Sequence, residues 1–235
     1  MTTLSDLFTA GARRYDLLVG ADPGYHRHLR LAAERLVRHR RPRRALDLGC
    51  GTGASTRALL GAAPEARILG VDAAHGMIEQ ARAKQWPAGR VEFAVGLAGD
   101  ETVTAPSAPF DVCLAAYLLR NVPAAERDRV LRSIRDQLVP GGVLAVQDYT
   151  VAGSWRSARV WDAVCWLVIV PLAALVLRDT RLFRYLWRSV RDMEGVEVWC
   201  ARMDAAGLEV LEVHHGSSWQ RGILHTVIAR RPEQT

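Results

Sequence analysis

One stretch, Ala45-Leu46-Asp47-Leu48-Gly49-Cys50-Gly51-Thr52-Gly53, constrains the fold of this chain more than any other. It predicts a short buried strand over 44–48, a glycine-rich turn, and a helix that begins at Ala54. Glycine is needed where the backbone turns sharply or lies against a ligand, because a Cβ would fill that space. A helix N-terminus at the same place offers free N–H groups to a carboxylate or phosphate. The stretch therefore predicts a binding site for a small, partly anionic molecule.

Two kinds of cofactor fit this glycine pattern. Gly49, Gly51 and Ala54 match the looser dinucleotide pattern G-x-G-x-x-A, which would indicate a nicotinamide enzyme. Asp47, two residues before the first glycine, would repel a pyrophosphate and attract an ammonium group. S-adenosyl-L-methionine carries an ammonium and a carboxylate but no phosphate, and the acid with its glycine turn resembles motif I of the class I methyltransferases. We therefore expect S-adenosyl-L-methionine as the cofactor, with a nicotinamide dinucleotide as the alternative.

The second predicted strand ends in another acid, Asp72, about twenty residues further along the chain. An acid at the tip of this strand can accept hydrogen bonds from both ribose hydroxyls of a bound nucleoside. Both candidate cofactors contain a ribose, so Asp72 does not separate them. A helix N-cap aspartate is the purely structural alternative.

The third strand departs from the methyltransferase pattern. The resemblance implies an acid followed by a small residue near the adenine amino group, but Leu97 stands at that position in the segment 96–100. Either Asp100 has taken over this contact, or backbone groups around Leu97 and Ala98 read the adenine. The predicted cofactor-binding residues are Asp47, Gly49, Gly51, Thr52, Gly53, Asp72, Ala73, Met77, Leu97, Ala98, Asp100 and Ala116.

A segment after the fourth strand narrows the resemblance to one family. Ala116-Tyr117-Leu118-Leu119-Arg120-Asn121-Val122 is similar to the "FGLRNV" signature of the ubiquinone and menaquinone biosynthesis C-methyltransferases. Segments of that family also resemble residues 8–16, 24–27, 138–142 and 185–190, in the same order along the chain. The Asn/Asp-Pro-Pro-aromatic motif typical of nucleic-acid amino-methyltransferases does not occur here, so no nucleic-acid substrate is expected.

The resemblance implies methyl transfer to a ring carbon of a prenylated quinol. The family's proposed catalytic cluster carries over onto Tyr15, Arg120 and Asn121. Because a guanidinium stays protonated in proteins, we expect Arg120 to stabilise a phenolate or to orient a water. Asp148 is a second candidate to accept the hydroxyl proton, and a structural role for each of these residues is the alternative. The predicted substrate-binding residues are His26, Tyr117 and Trp166, and the alternative substrate is another hydrophobic small molecule methylated at oxygen or nitrogen.

From Arg44 onward, strand and helix patterns alternate, which predicts an α/β fold with a Rossmann-like, seven-stranded, mostly parallel sheet and helices on both faces. We place the strands near 44–48, 67–71, 90–95, 110–115, 142–148, 208–214 and 222–230, and the later helices near 54–61, 75–85, 124–138 and 200–206. One methyltransferase domain is expected over 1-235. It comprises an N-terminal helical lid (1-43), a cofactor-binding core (44-150), an apolar helical insertion after strand 5 (151-199), and a C-terminal helix and strands (200-231).

The insertion contains an uninterrupted apolar run over 163–177. The run is shorter than the ~20 residues needed to cross a bilayer, and Pro171 lies within it. Arginines flank it on both sides, which is typical of a segment that lies in the membrane interface. We therefore expect contact with a membrane or a prenyl tail through 160-188. Burial beneath the lid and a homodimer interface are the alternatives.

Composition bears on location and partners. The net charge is +6, and nearly all of the positive charge is carried by arginine, since Lys84 is the only lysine. The arginine-rich run over 38–44 could contact anionic lipid or nucleic acid, but a solvated connection is the simpler interpretation.

The four cysteines show no C-x-x-C spacing, and their apolar neighbours predict buried free thiols in a reducing cytoplasm. No metal is expected, because no His, Asp and Glu set has ligand spacing. We expect a cytoplasmic enzyme, peripheral on the inner face of the membrane.

Overall fold

A mixed sheet forms the centre of the computed structural model, which describes residues 4–6, 8, 9, 12, 24–177 and 180–233. In this part of the chain the strands are β1 (Arg44–Leu48), β2 (Arg67–Asp72), β3 (Val91–Val95), β4 (Phe110–Ala116), β5 (Leu138–Tyr149), β6 (Glu209–His215) and β7 (Leu224–Arg230). Their order across the sheet is β3-β2-β1-β4-β5-β7-β6. Strand β7 is antiparallel to both of its neighbours, and the other pairs are parallel. The predicted fold class is confirmed.

Helices cover both faces of this sheet. They are α1 (Tyr25–His39), α2 (Ala54–Ala62), α3 (His75–Arg82), α4 (Glu101–Thr104), α5 (Arg127–Gln137), α6 (Trp155–Val164), α7 (Val170–Leu177), α8 (Arg181–Arg191) and α9 (Val196–Ala205). Alternate residues of β4 lie in two different apolar clusters, with Val112 and Leu114 on one face and Cys113 and Ala115 on the other. This alternation with a period of two explains why the strand is apolar throughout.

The strand register determines where a site can form. Leu48 pairs with Val71, and Ala116 pairs with Gln147, so β1, β2, β4 and β5 end at the same edge of the sheet. Ligands of parallel α/β sheets bind outside the carboxyl ends of the strands, because the loops converge there. The loops after these strands therefore surround one region.

Several predicted boundaries were wrong. Strand β5 begins at Leu138 rather than near 142, because Leu138 already pairs with Phe110 before an irregularity in the register. Helix α9 begins at Val196, four residues before the prediction, and α3 ends at Arg82 rather than near 85. Cys50, Cys113 and Cys165 are buried free thiols, but Cys200 is only half-buried.

The apolar run belongs to a longer helix than the sequence predicted. Helices α6 and α7 are joined by a π-helical turn (Cys165–Ile169), so residues 155–177 form one continuous helix, which we call the insertion helix. Pro171 does not interrupt it. Proline lacks the N–H that would bond to the preceding turn, and the π-helical turn just before it widens the helix. By length and apolar composition, Trp155–Leu175 meets the requirements for crossing a membrane, the only such helix among the described residues.

Candidate active site

The turn after β1 leaves open space above one glycine. Gly51 has a positive φ of 53°, and a Cβ built at this position would meet no atom within 4 Å. By contrast, a Cβ on Gly53 would come within 2.9 Å of the Trp86 ring. Gly51 therefore lies where a ligand can approach the backbone, whereas Gly53 allows the loop to pack against its neighbours.

Asp72, at the end of β2, connects this turn to the start of α3. Its Oδ2 accepts a hydrogen bond from the Gly51 N–H at 2.9 Å, and its Oδ1 accepts one from the Ala74 N–H at 2.8 Å. Burial raises the pKa of Asp72, and these two hydrogen bonds oppose that effect. Each carboxylate oxygen can accept a further hydrogen bond, so Asp72 can still bind hydroxyl groups in the cavity.

Asp47 lies beneath the turn and is fully buried. Its Oδ2 accepts hydrogen bonds from the Ser55 and Thr56 hydroxyls at 2.8 and 2.5 Å. Burial raises the pKa of Asp47 to about 7. Its Oδ1 has no hydrogen-bond partner among the described residues. Asp47 does not line the cavity, so its observed contacts hold the first turn of α2 from below.

The loop after β3 carries both candidates for the predicted adenine contact, Leu97 with Ala98 and Asp100. Leu97 and Ala98 line the cavity, and Leu97 is 67% exposed. The Asp100 carboxylate instead accepts hydrogen bonds from the N–H and the hydroxyl of Thr102, at 3.1 and 2.6 Å. Asp100 thus caps α4 and is absent from the described cavity wall.

A buried ion pair supports the turn after β4. Arg120 Nη1 donates to Asp148 Oδ1 at 2.6 Å, and the Arg120 backbone N–H donates to Asp148 Oδ2 at 3.1 Å. The Tyr149 N–H also donates to Asp148 Oδ1 at 2.9 Å. Asp148 is fully buried and lies behind the cavity wall, whereas Arg120 lines the cavity. The observed contacts of Asp148 are therefore those of a group that holds Arg120.

Aromatic rings enclose this pair. Tyr117 stacks on Tyr25 with a centroid distance of 5.2 Å and packs on Tyr149 at 5.0 Å. The Arg120 guanidinium lies 5.6 Å from the Tyr117 ring centroid and 6.0 Å from the Tyr149 centroid. Cation–π contacts of this kind stabilise a guanidinium that is shielded from water.

Asn121 follows in the same turn and lines the cavity. Its Nδ2 donates to the Tyr117 carbonyl at 3.0 Å, and its Oδ1 accepts a hydrogen bond from the Tyr185 hydroxyl at 3.2 Å. Tyr185 was not predicted as a site residue, and it comes from α8, more than sixty residues away in the chain.

These groups surround one cavity of about 490 Å³. Most of the predicted site residues line it: Gly49, Gly51, Thr52, Asp72, Ala73, Met77, Leu97, Ala98, Ala116, Tyr117, Arg120 and Asn121. The cavity wall also includes four residues that were not predicted as site residues: Tyr25, Leu118, Glu126 and Arg129.

Other predicted residues lie elsewhere. His26 is exposed on α1, and it is its neighbour Tyr25 that lines the cavity. Trp166 packs edge-on against Trp187, outside the described cavity wall. Tyr15 lies outside the described residues, so its predicted role stays a prediction.

The N-terminal residues that the structure describes contact the cavity edge. Leu4, Ser5 and Phe8 line the cavity, and the Ser5 hydroxyl donates to the Ala73 carbonyl at 2.9 Å. Phe8 and Ala12 pack with Met77 of α3. These contacts are compatible with the predicted lid.

The cavity fits S-adenosylmethionine better than a dinucleotide. Its volume lies within the usual range for small-molecule sites, and the open space at Gly51 allows close approach to the backbone. Asp72 lines the cavity next to this space, and Asp47 lies directly beneath the turn. The Asp47 carboxyl group disfavours a pyrophosphate and favours a ligand that carries ammonium and sulfonium charges, whereas Asp72 suits the ribose of either cofactor. Among the described residues, no group of three His, Cys, Asp or Glu could hold a metal ion.

Sequence comparisons agree with this assignment. A family profile described as a methyltransferase domain matches residues 45–142. The ubiquinone/menaquinone biosynthesis C-methyltransferase UbiE of Methylobacterium nodulans is 31% identical over 210 residues, which cover 87% of this chain and 82% of that protein. The enzyme of the same name from Ectopseudomonas mendocina is 30% identical over 217 residues, covering 90% of this chain and 83% of the relative.

Solved structures show the same fold at low sequence identity. The N-methyltransferase NodS from Bradyrhizobium japonicum WM9, in complex with S-adenosyl-L-homocysteine, has a TM-score of 0.67 and 17% identity, and the match covers 97% of both chains. The [4+2]-cyclase SpnF has a TM-score of 0.68 and 19% identity, with 99% of this chain and 97% of that chain covered. The fold therefore hosts more than one type of reaction, and the reaction must be argued from the site.

Proposed function

We propose that this chain methylates a ring carbon of a prenylated quinol, because it belongs to the family of ubiquinone/menaquinone biosynthesis C-methyltransferases. The chain is an S-adenosylmethionine-dependent methyltransferase, so the expected cofactor is confirmed and the nicotinamide alternative is set aside. Within the site, the observation that carries the proposal is the Arg120–Asn121 turn. It lies at the same cavity as the glycine turn, with the Arg120 guanidinium held by Asp148.

The cavity wall supports a hydrophobic acceptor with a polar head. Apolar side chains contribute much of the wall, including Leu29, Met77 and Leu118. Arg120 and Asn121 supply polar groups to the same cavity. A flat ring with a hydroxyl group and an apolar tail suits this combination.

The transfer requires an electron-rich ring. When bound, S-adenosylmethionine supplies an electrophilic methyl group on its sulfonium. The acceptor's hydroxyl loses its proton to a water, the ring carbon then forms the new C–CH₃ bond, and the C–S bond breaks with its electron pair left on sulfur. The hydrogen on the methylated carbon finally moves to the ring oxygen, so one proton is released overall.

Arg120 and Asn121 favour these reaction steps by stabilising the negative charge on the oxygen of the acceptor ring. The Arg120 guanidinium stays protonated and stabilises the negative charge that forms on the oxygen. Asn121 Nδ2 has a second hydrogen beyond the one given to the Tyr117 carbonyl, and it can donate this hydrogen to the oxygen. Burial of both Arg120 and Asp148 strengthens these electrostatic effects, because water does not screen the guanidinium charge.

Exposed apolar side chains on the insertion helix support the proposal of peripheral membrane contact, which we place on the cytoplasmic side. Leu167 and Leu175 are 76% and 80% exposed, and Trp155 is 73% exposed. Exposed arginines precede and follow this apolar face, among them Arg159 and Arg184. Apolar surface between cations suits the interface of an anionic bilayer, where a prenylated substrate resides.

The direct test is turnover of a short-tailed demethylmenaquinol, kept reduced, with S-adenosylmethionine carrying a ¹³C-labelled methyl group. We expect a singly methylated product whose label has the ¹³C chemical shift of a ring methyl. A methoxy shift would instead favour the alternative of O-methylation. Absence of turnover with demethylated quinols, in a preparation that binds the cofactor, would contradict the proposed substrate.

A further inference from the structure

Tyr185 contacts the Arg120–Asn121 turn, which we call the catalytic turn, from outside the cavity. Its hydroxyl lies 3.2 Å from Asn121 Oδ1, while Asn121 Nδ2 lies 3.0 Å from the Tyr117 carbonyl. A backbone carbonyl can only accept a hydrogen bond, so Nδ2 must face Tyr117. This orientation leaves Oδ1 for Tyr185 and makes the tyrosine hydroxyl the donor.

The surroundings of Tyr185 keep its hydroxyl protonated. Partial burial raises the pKa of the phenol, and the Asp148 carboxylate raises it further. The guanidinium groups of Arg120 and Arg127 act in the opposite direction, but the net shift is upward. Tyr185 therefore remains a hydrogen-bond donor at physiological pH.

Helix α8 holds Tyr185 in place through contacts with α6. The Trp187 indole donates to Asp162 Oδ1 at 2.8 Å, and Arg191 Nη1 donates to Asp162 Oδ2 at 2.9 Å. In return, the Trp161 indole donates to the Trp187 carbonyl at 3.2 Å. These bonds link α8 to the insertion helix, so the insertion supplies a residue that touches the catalytic turn.

We propose that Tyr185 is a positioning residue that fixes the Asn121 amide, so that the second hydrogen on Nδ2 faces the hydroxyl of the methyl acceptor. The proposal rests on the proposed function in one respect, that the acceptor carries a hydroxyl group. Tyr185 acts through Asn121, because Asn121 belongs to the described cavity wall and Tyr185 does not. Without the tyrosine hydroxyl, Oδ1 loses its partner and the amide can rotate.

A double-mutant cycle with Tyr185→Phe and Asn121→Ala tests this coupling, with the quinol assay as readout. Loss of one hydrogen bond predicts a fall in kcat of about fivefold to tenfold in Tyr185→Phe, with the KM for S-adenosylmethionine unchanged. The same change should have no effect on kcat in the Asn121→Ala background. Ser189→Ala, which removes another hydroxyl from α8, is the control and should keep wild-type kcat. Additive losses in the double variant would overturn the proposal.

A second readout does not depend on the acceptor. The side-chain amide signals of Asn121, identified by their absence in Asn121→Ala, should shift and exchange faster with water in Tyr185→Phe. Unchanged amide signals would overturn the positioning role. Failure of the wild-type enzyme to methylate any quinol would contradict the proposed function and leave this measurement as the test of Tyr185.

Discussion

At the scale of single residues, Asp47 is a carboxyl group with no exposure to solvent. It is fully buried, accepts two hydroxyl hydrogen bonds, and has a pKa raised to about 7 chiefly by burial. The native protein without ligand therefore holds a proton that the unfolded chain releases as pH rises above about 4. The raised pKa of Asp47 therefore makes its full contribution to the free energy of unfolding at low pH, and this contribution is lost as the pH rises through about 7.

We predict that Asp47→Asn removes this pH dependence. Asparagine keeps an oxygen for Ser55 and Thr56 but does not ionise. The unfolding free energy of the variant, relative to wild type, should rise between about pH 4 and about pH 7, by at most about 4 kcal/mol. Urea unfolding of both proteins without ligand measures the difference. A difference that stays constant over this range would contradict the raised pKa.

The residue types of the site were predictable, but the directions of their side chains were not. The sequence puts Asp47 close to the glycine turn and Asp100 close to the end of β3. It does not reveal that Asp47 lies under the backbone, or that Thr102 engages the Asp100 carboxylate. Such directions follow from local hydrogen bonds, which compete with any ligand for the same oxygens.

At the scale of elements, the insertion helix is the feature whose exposed apolar side chains need a partner. Trp161 and Cys165 are buried against the protein core, whereas Leu167 and Leu175 face outward. The sequence predicted the apolar run over 163–177, but not that the helix containing it begins at Trp155. The reason is that residues 155–162 alternate polar and apolar positions as an amphipathic helix does, rather than forming a continuous run.

Replacing both Leu167 and Leu175 by glutamate should reduce flotation with anionic liposomes at least about tenfold, since two large apolar side chains leave the membrane and two anions replace them. Val198→Glu with Val213→Glu is the matched control. It changes the charge equally at valines that are 42% and 39% exposed on other elements. Equal flotation of the two double variants would contradict membrane contact through this helix. Loss of a dimer in the leucine variant, without any liposome binding by wild type, would favour the homodimer alternative.

At the scale of the whole molecule, the alternation of strands and helices was sufficient to predict the sheet. Buried parallel strands are short apolar runs that end in polar loops, and such runs can be read directly from the sequence. The contact between Tyr185 and Asn121 was not predictable, because it depends on how α8 packs back onto the sheet after the insertion helix. Long-range packing of this kind leaves no local pattern in the chain.

The central claim is that the cavity at the glycine turn binds S-adenosylmethionine, and calorimetric titration with S-adenosyl-L-homocysteine tests it most directly. We predict micromolar binding by wild type, weaker binding by Asp72→Ala, and no binding by Gly51→Arg, because an arginine side chain would fill the open space at Gly51. Gly61→Arg is the matched control, since Gly61 lies on the exposed side of α2 with equal free space, and it should bind normally. Binding of NADH alone, or undiminished binding of S-adenosyl-L-homocysteine by Gly51→Arg, would contradict the claim.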